Sequence, residues 1–211
     1  MPHLVLLGDS VFDNARYVPD RPAVIEQVRE SLPADWRATL LAVDGHVVED
    51  VAKQLRGLPP DATHLFISAG GNDALGESTI LHESVVSVGE ALSLLAEVQD
   101  RFRGEYQEML RAVRATGLPA AVCTVYDSIP MLGVEEKTAM ALFNEVILRE
   151  AFVGGLPVLD LRLVCTNPAD YSHVSPIEPS MIGGAKIARL IADVAQQHDF
   201  SRPRAVVYPG P

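Results

Sequence analysis

Leu4-Val5-Leu6-Leu7-Gly8-Asp9-Ser10 is the stretch on which the reading of this chain turns. Four apolar residues in succession, closed by glycine, read as a strand buried on both faces, and that pattern belongs to a parallel sheet. Open α/β sheets bind their ligands beyond the carboxyl ends of the strands, so a hydroxyl at Ser10 emerges where chemistry is expected. A second run, His64 to Ser68, leads into Gly70-Gly71-Asn72-Asp73 and repeats the arrangement.

Outward from these two strands, apolar runs recur at Leu40 to Val43, Ala120 to Val125 and Val158 to Val164. Helix-like segments lie between them, near Pro22 to Leu32, Val47 to Leu55, Thr79 to Ala115 and Glu135 to Val153, with a last one at Pro179 to Gln197. Gly89 and Gly104 are candidate breaks in the third, and Pro179 suits a first helical turn. Strands alternating with helices, joined by right-handed crossovers, predict a three-layer α/β/α fold around an open parallel sheet of about five strands. One domain spans 1–200, and 201–211, with three prolines, reads as a surface or mobile tail.

The 211 residues include 17 Lys and Arg against 28 Asp and Glu, for a formal net charge of -11. That balance argues against nucleic acid or an anionic membrane as a partner. Apolar runs fall short of the ~20 residues a membrane span needs. The two cysteines, Cys123 and Cys165, sit in or after apolar runs, read as core thiols and fit a reduced compartment. With no leader-like segment before His3, the expected location is cytoplasmic.

Serine attacks a carbonyl only when a base takes its proton and donors already face the oxyanion that forms. The Ser10 N–H, the N–H of Gly45 after the second strand and the side-chain amide of Asn72 after the third all sit at strand tips and can converge on one crevice. Each has a plainer reading as a turn or helix-cap residue. Their joint placement favours a site. His46 beside Gly45 and Tyr126-Asp127-Ser128 after the fourth strand border the same rim.

On these residues the chain resembles the SGNH, or GDSL-type, hydrolase superfamily. Gly8-Asp9-Ser10 with Asp13-Asn14 is similar to its first block, Gly45 to the glycine of the second, and Gly70-Gly71-Asn72-Asp73 to the third. The resemblance implies a flavodoxin-like fold, Ser10 as nucleophile, an oxyanion hole from Ser10, Gly45 and Asn72, and an esterase-type activity without metal or organic cofactor. The family's fourth block is Asp-x-x-His before the last helix, commonly continued His-Pro-Ser-x-x-Gly. Asp170-Tyr171-Ser172-His173 carries the local motif and implies His173 as base with Asp170 orienting it. The register of the last helix instead puts Glu178, in Glu178-Pro179-Ser180-Met181-Ile182-Gly183, at the histidine's place and Ser175 at the aspartate's.

An imidazole with a reference pKa of about 6.5 suits proton relay near neutrality, whereas a glutamate at about 4.3 needs burial to match it. His173 is therefore the expected base, with Glu178 the alternative base or orienter. His82-Glu83 is not followed by a second zinc-ligand histidine, no Cys/His cluster occurs, and nucleotide-binding glycine loops and Gly-x-Ser-x-Gly are missing. The expectation is a serine hydrolase of small esters or thioesters. Its rival is a non-catalytic binder of small ligands that lacks a positioned histidine.

Overall fold

A computed structural model describes residues 1–19 and 21–210, so Pro211 at the end of the tail lies outside the described residues. Six parallel strands form one sheet in the order β2-β1-β3-β4-β5-β6. They are β1 (His3–Gly8), β2 (Arg37–Leu40), β3 (His64–Ser68), β4 (Ala120–Cys123), β5 (Val158–Leu159) and β6 (Val207–Tyr208). The helices are α1 (Val24–Ser31), α2 (Val51–Gln54), α3 (Gly71–Gly76), α4 (Val88–Ala115), α5 (Val134–Gly154), α6 (Leu161–Val164) and α7 (Met181–Gln197). No helix among the described residues is long and apolar enough to cross a membrane.

Strand periodicity divides the core in two. Leu4, Leu6, Phe66, Ala121 and Leu159 point to the face covered by α1 and α7, where Val24, Val28, Ile187 and Ile191 meet them. Val5, Leu7, Leu65, Ile67, Val122 and Val158 point to the other face, against Phe102, Tyr106 and Leu110 of α4 and Val146 and Ile147 of α5. Helices thus cover both faces, and the three-layer expectation holds. Cys123 and Cys165 are free and buried in the first of these cores.

Several element bounds differ from those expected. The run Val158 to Val164 is not one strand: Asp160 accepts from the Arg162 N–H at 3.3 Å and starts α6, so strand pairing stops at Leu159. Gly89 and Gly104 do not break α4. The break comes before it, where the Ser87 hydroxyl caps the helix by accepting from Glu90 N–H at 3.1 Å. The last helix begins at Met181, two residues after Pro179, because the Ser180 hydroxyl accepts from Ile182 and Gly183 N–H. The tail supplies a sixth strand: Val207 and Tyr208 pair with Val158 and Leu159 along the otherwise open edge of β5.

At Gly8 the sheet delivers the chain to the candidate site. Its φ of 118° lies where glycine is favoured, and a Cβ there would stand 1.7 Å from the Ser68 carbonyl oxygen. Close approach of β1 to the end of β3 lets Asp9 N–H donate to Ser68 O at 3.0 Å. Gly8→Ala is expected to cost roughly 3 kcal/mol, combining the left-handed backbone with overpacking. Urea denaturation measures it, and a loss below about 1 kcal/mol would contradict this account.

Candidate active site

After Gly8 the chain closes a tight turn in which Phe12 and Asp13 N–H donate to Asp9 O at 3.2 and 3.1 Å. Ser10 sits at its apex, 5% exposed. Its backbone N–H finds no hydrogen-bond acceptor among the described residues, and neither does that of Gly45. The loop bearing Gly45 is tied to this turn: Val43 N–H donates to Gly8 O at 3.1 Å and Asp44 N–H to Asp13 Oδ2 at 3.0 Å. Asn72, at the start of α3, donates from Nδ2 to His46 O at 2.8 Å, joining the third strand tip to the second.

Gln54 and Asn14 complete the frame, and neither was singled out from sequence for this role. Gln54 Oε1 accepts from Gly8 N–H at 2.7 Å and its Nε2 donates to Gly8 O at 2.7 Å. The Gln54 Nε2 also lies 3.0 Å from His46 Nδ1, which ties the loop after β2 to the same frame. Gln54→Leu, close in volume, leaves the Gly8 N–H unpaired in the core. The expected loss is roughly 1–3 kcal/mol by thermal or urea unfolding.

The fourth segment puts Glu178 on the cavity wall and His173 outside it. Its backbone is held at three successive carbonyls by groups from elsewhere in the chain: Tyr126 Oη donates to Ile177 O at 2.7 Å, Ser172 N–H to Glu178 O at 2.8 Å, and Asn14 Nδ2 to Pro179 O at 3.0 Å. So held, Glu178 turns inward and is 5% exposed. His173 lies on the outer side of the same loop, exposed. Asp170 is buried but paired with Lys186 at 2.7 Å, and its Oδ2 accepts from Asn167 N–H at 2.9 Å. The structure therefore does not bring His173 and Asp170 together as base and orienter. The physical reason is that the Asp170 carboxylate is taken up by a lysine of α7 and by its own local cap.

Ser10, Asn72 and Glu178 line one cavity of about 140 Å³. Among the described residues no histidine, lysine or arginine lines it. Burial pushes the Glu178 carboxyl up to about 7, against the neighbouring Ser10 hydroxyl, which favours its charged form. Its Oε2 is buried without a hydrogen-bond partner. Asp9, 3% exposed, is likewise pushed up to about 7, chiefly by burial and also by the Glu178 charge, while Val11 N–H bonding to its Oδ1 opposes the shift. Asp73, whose carboxylate accepts from Val48 N–H, is raised to about 6 by burial. The arrangement offers the Ser10 hydroxyl with its free backbone N–H and, beside it, a buried carboxyl that can hold or release a proton near neutrality.

Residues 6–180 match the family model described as GDSL-like Lipase/Acylhydrolase family. No curated protein matches the sequence. Among solved structures, the lipase Lip_vut3 from a goat rumen metagenome superposes with a TM-score of 0.72 at 17% identity, over 95% of this chain and 100% of that one. An extracellular lipase from Streptomyces rimosus gives 0.68 at 16% identity, covering 93% and 100% of the two chains. An acetyl xylan esterase from Geobacillus stearothermophilus gives 0.61 at 14%, covering 92% and 93%. At these identities the likeness is one of fold.

Proposed function

Because the chain belongs to the GDSL-like lipase/acylhydrolase family, we propose that it is a serine hydrolase that cleaves small esters or thioesters through an acyl-enzyme, with Ser10 as nucleophile and Glu178 as base. The observation that carries this reading is the placement of Ser10, Asn72 and the buried Glu178 on the wall of one cavity. Glu178 takes the Ser10 Oγ proton as Oγ bonds to the substrate carbonyl carbon. The oxyanion is held by the Ser10 and Gly45 N–H groups and Asn72 Nδ2. The protonated Glu178 then gives its proton to the departing alkoxide or thiolate as the carbon–leaving-group bond breaks. Water repeats the sequence on the acyl-enzyme: Glu178 takes a water proton, the hydroxide adds, and Ser10 Oγ leaves with the proton returned.

Carboxylates are usually too weak as bases for this step because they ionise near 4. A glutamate titrating at about 7 is matched to the task, accepting and returning a proton at neutral pH. A second reading, a binder of small ligands that does not turn them over, is favoured by the absence of any histidine from the cavity wall among the described residues. Treatment with a fluorophosphonate and peptide mass spectrometry, beside a para-nitrophenyl acetate assay, separates the two. A single adduct on Ser10 together with turnover supports the hydrolase. Saturable ligand binding with Ser10 unlabelled and no turnover supports the binder.

A further inference from the structure

The cavity does not end at the reacting groups. Beyond Ser10 and Glu178 its wall is hydrocarbon: Leu95 and Val98 from α4, Met140 and Phe143 from α5, with Ile80 and Ile129 from the preceding loops. Apart from Asp9 and Glu178, its charged side chains are Glu77 and Glu136, and both are acidic. An anionic group entering this space would meet like charge on the wall, where Glu136 and the carboxyls of Asp9 and Glu178 stand and Glu77 is paired with Arg101 at 2.9 Å, and the formal net charge of -11 adds to the repulsion at longer range. An apolar chain meets a surface that gains by covering it. Leu75, on the wall and 56% exposed, carries the apolar lining out to the mouth.

Size narrows the class further. About 140 Å³ is close to the ~150 Å³ of an apolar protein cavity that takes benzene, a six-carbon guest. We propose that this cavity is the acyl-binding site, and that it selects an uncharged hydrocarbon acyl group of about six carbons esterified to a neutral alcohol, discriminating against both acetyl groups and acyl-coenzyme A. The proposal rests on the hydrolase reading for its chemistry, with Ser10 at the head of the pocket. An acyl chain laid from Ser10 toward Met140 and Phe143 replaces water against the wall along its length. The leaving group stays outside the pocket, where the net negative charge of the protein admits a neutral alcohol and opposes the phosphates of coenzyme A.

A series of para-nitrophenyl esters from acetate to laurate tests this. The value of kcat/KM is expected to rise about fourfold per methylene as far as hexanoate, from the hydrophobic transfer of each CH₂, and then to level or fall. Hexanoyl-coenzyme A is expected to react far more slowly than the hexanoate ester. Ala139 of α5 lines the cavity, so Ala139→Phe should move the optimum to acetate or propionate, and Met140→Ala should move it to longer chains. A profile that is flat, or unmoved by both variants, overturns the proposal while hydrolysis persists. Calorimetric titration of Ser10→Ala with ethyl hexanoate and ethyl acetate gives a readout without turnover. Saturable binding of the hexanoate alone supports the pocket even where the wild type hydrolyses nothing, in which case only the hydrolase reading falls. No binding and no hydrolysis remove both.

Discussion

Replacing Ser10 by alanine is expected to lower kcat on para-nitrophenyl esters by on the order of 10⁴-fold or more, the scale seen when a serine nucleophile is deleted from a working site. The cavity wall holds other hydroxyls, so the claim is specific to one serine. Ser68 lies at the end of β3 beside the Asp9 carboxyl, and Ser78 follows α3 between Glu77 and Thr79. Only Ser10 combines a carboxyl base beside its hydroxyl with a backbone N–H that has no acceptor among the described residues. Ser78→Ala should therefore leave the rate within a few fold. Folding should suffer little in Ser10→Ala, because the substitution removes only the hydroxyl's contact with the Glu178 carboxyl, and groups arranged for chemistry are commonly neutral or costly to stability. Thermal unfolding would check this. Full turnover in Ser10→Ala would remove the serine mechanism.

The parallel sheet was legible because burial on both faces leaves an unmistakable pattern. Leu4 to Leu7 and Leu65 to Ile67 are almost fully buried, so apolar residues run on without alternation. Topology then carried Ser10, Gly45 and Asn72 to strand tips without any knowledge of loop geometry. The sixth strand left no such trace. Val207 and Tyr208 lie between Pro203 and Pro209, and the information that makes them a strand is the open edge of β5, which is not local. The same holds at the fourth block. Asp170-Tyr171-Ser172-His173 has the local spacing of a base and its orienter, while the conformation is set by Tyr126, Asn14 and Lys186, all distant in sequence. Helix register matches which side chain reaches the cavity there, because the start of α7 is fixed by packing: a Cβ on Gly183 would stand 2.2 Å from Asp170 O. That contact locks Asp170 beneath the helix and leaves Glu178, next to the Ser180 cap, at the cavity.

Glu178→Gln, nearly isosteric, is expected to lower kcat/KM at pH 8 by about 10² to 10⁴-fold, the range for loss of a positioned general base. A base must be ionised in the free enzyme to act. With its carboxyl raised to about 7, wild-type kcat/KM should climb as pH rises through neutrality and flatten above it, and the variant should lose that dependence. Stability should move the other way. A carboxyl whose folded pKa lies above its unfolded value near 4.5 binds its proton more tightly when folded, so its favourable contribution is complete below about pH 4.5 and is lost as pH rises through 7. Wild type should thus lose a few kcal/mol relative to Glu178→Gln between pH 5 and 8. Asp9, raised to about 7 chiefly by burial and also by the Glu178 charge, contributes in the same direction in both proteins and somewhat less in the variant. His173→Ala, at an exposed loop position, should change kcat/KM by no more than a few fold. A pH profile that survives in Glu178→Gln and vanishes in His173→Ala would return the role of base to the imidazole, and would require the loop from Tyr171 to Pro179 to refold so that His173 reaches Ser10. That rearrangement would have to break the three carbonyl contacts that now hold Glu178 inward.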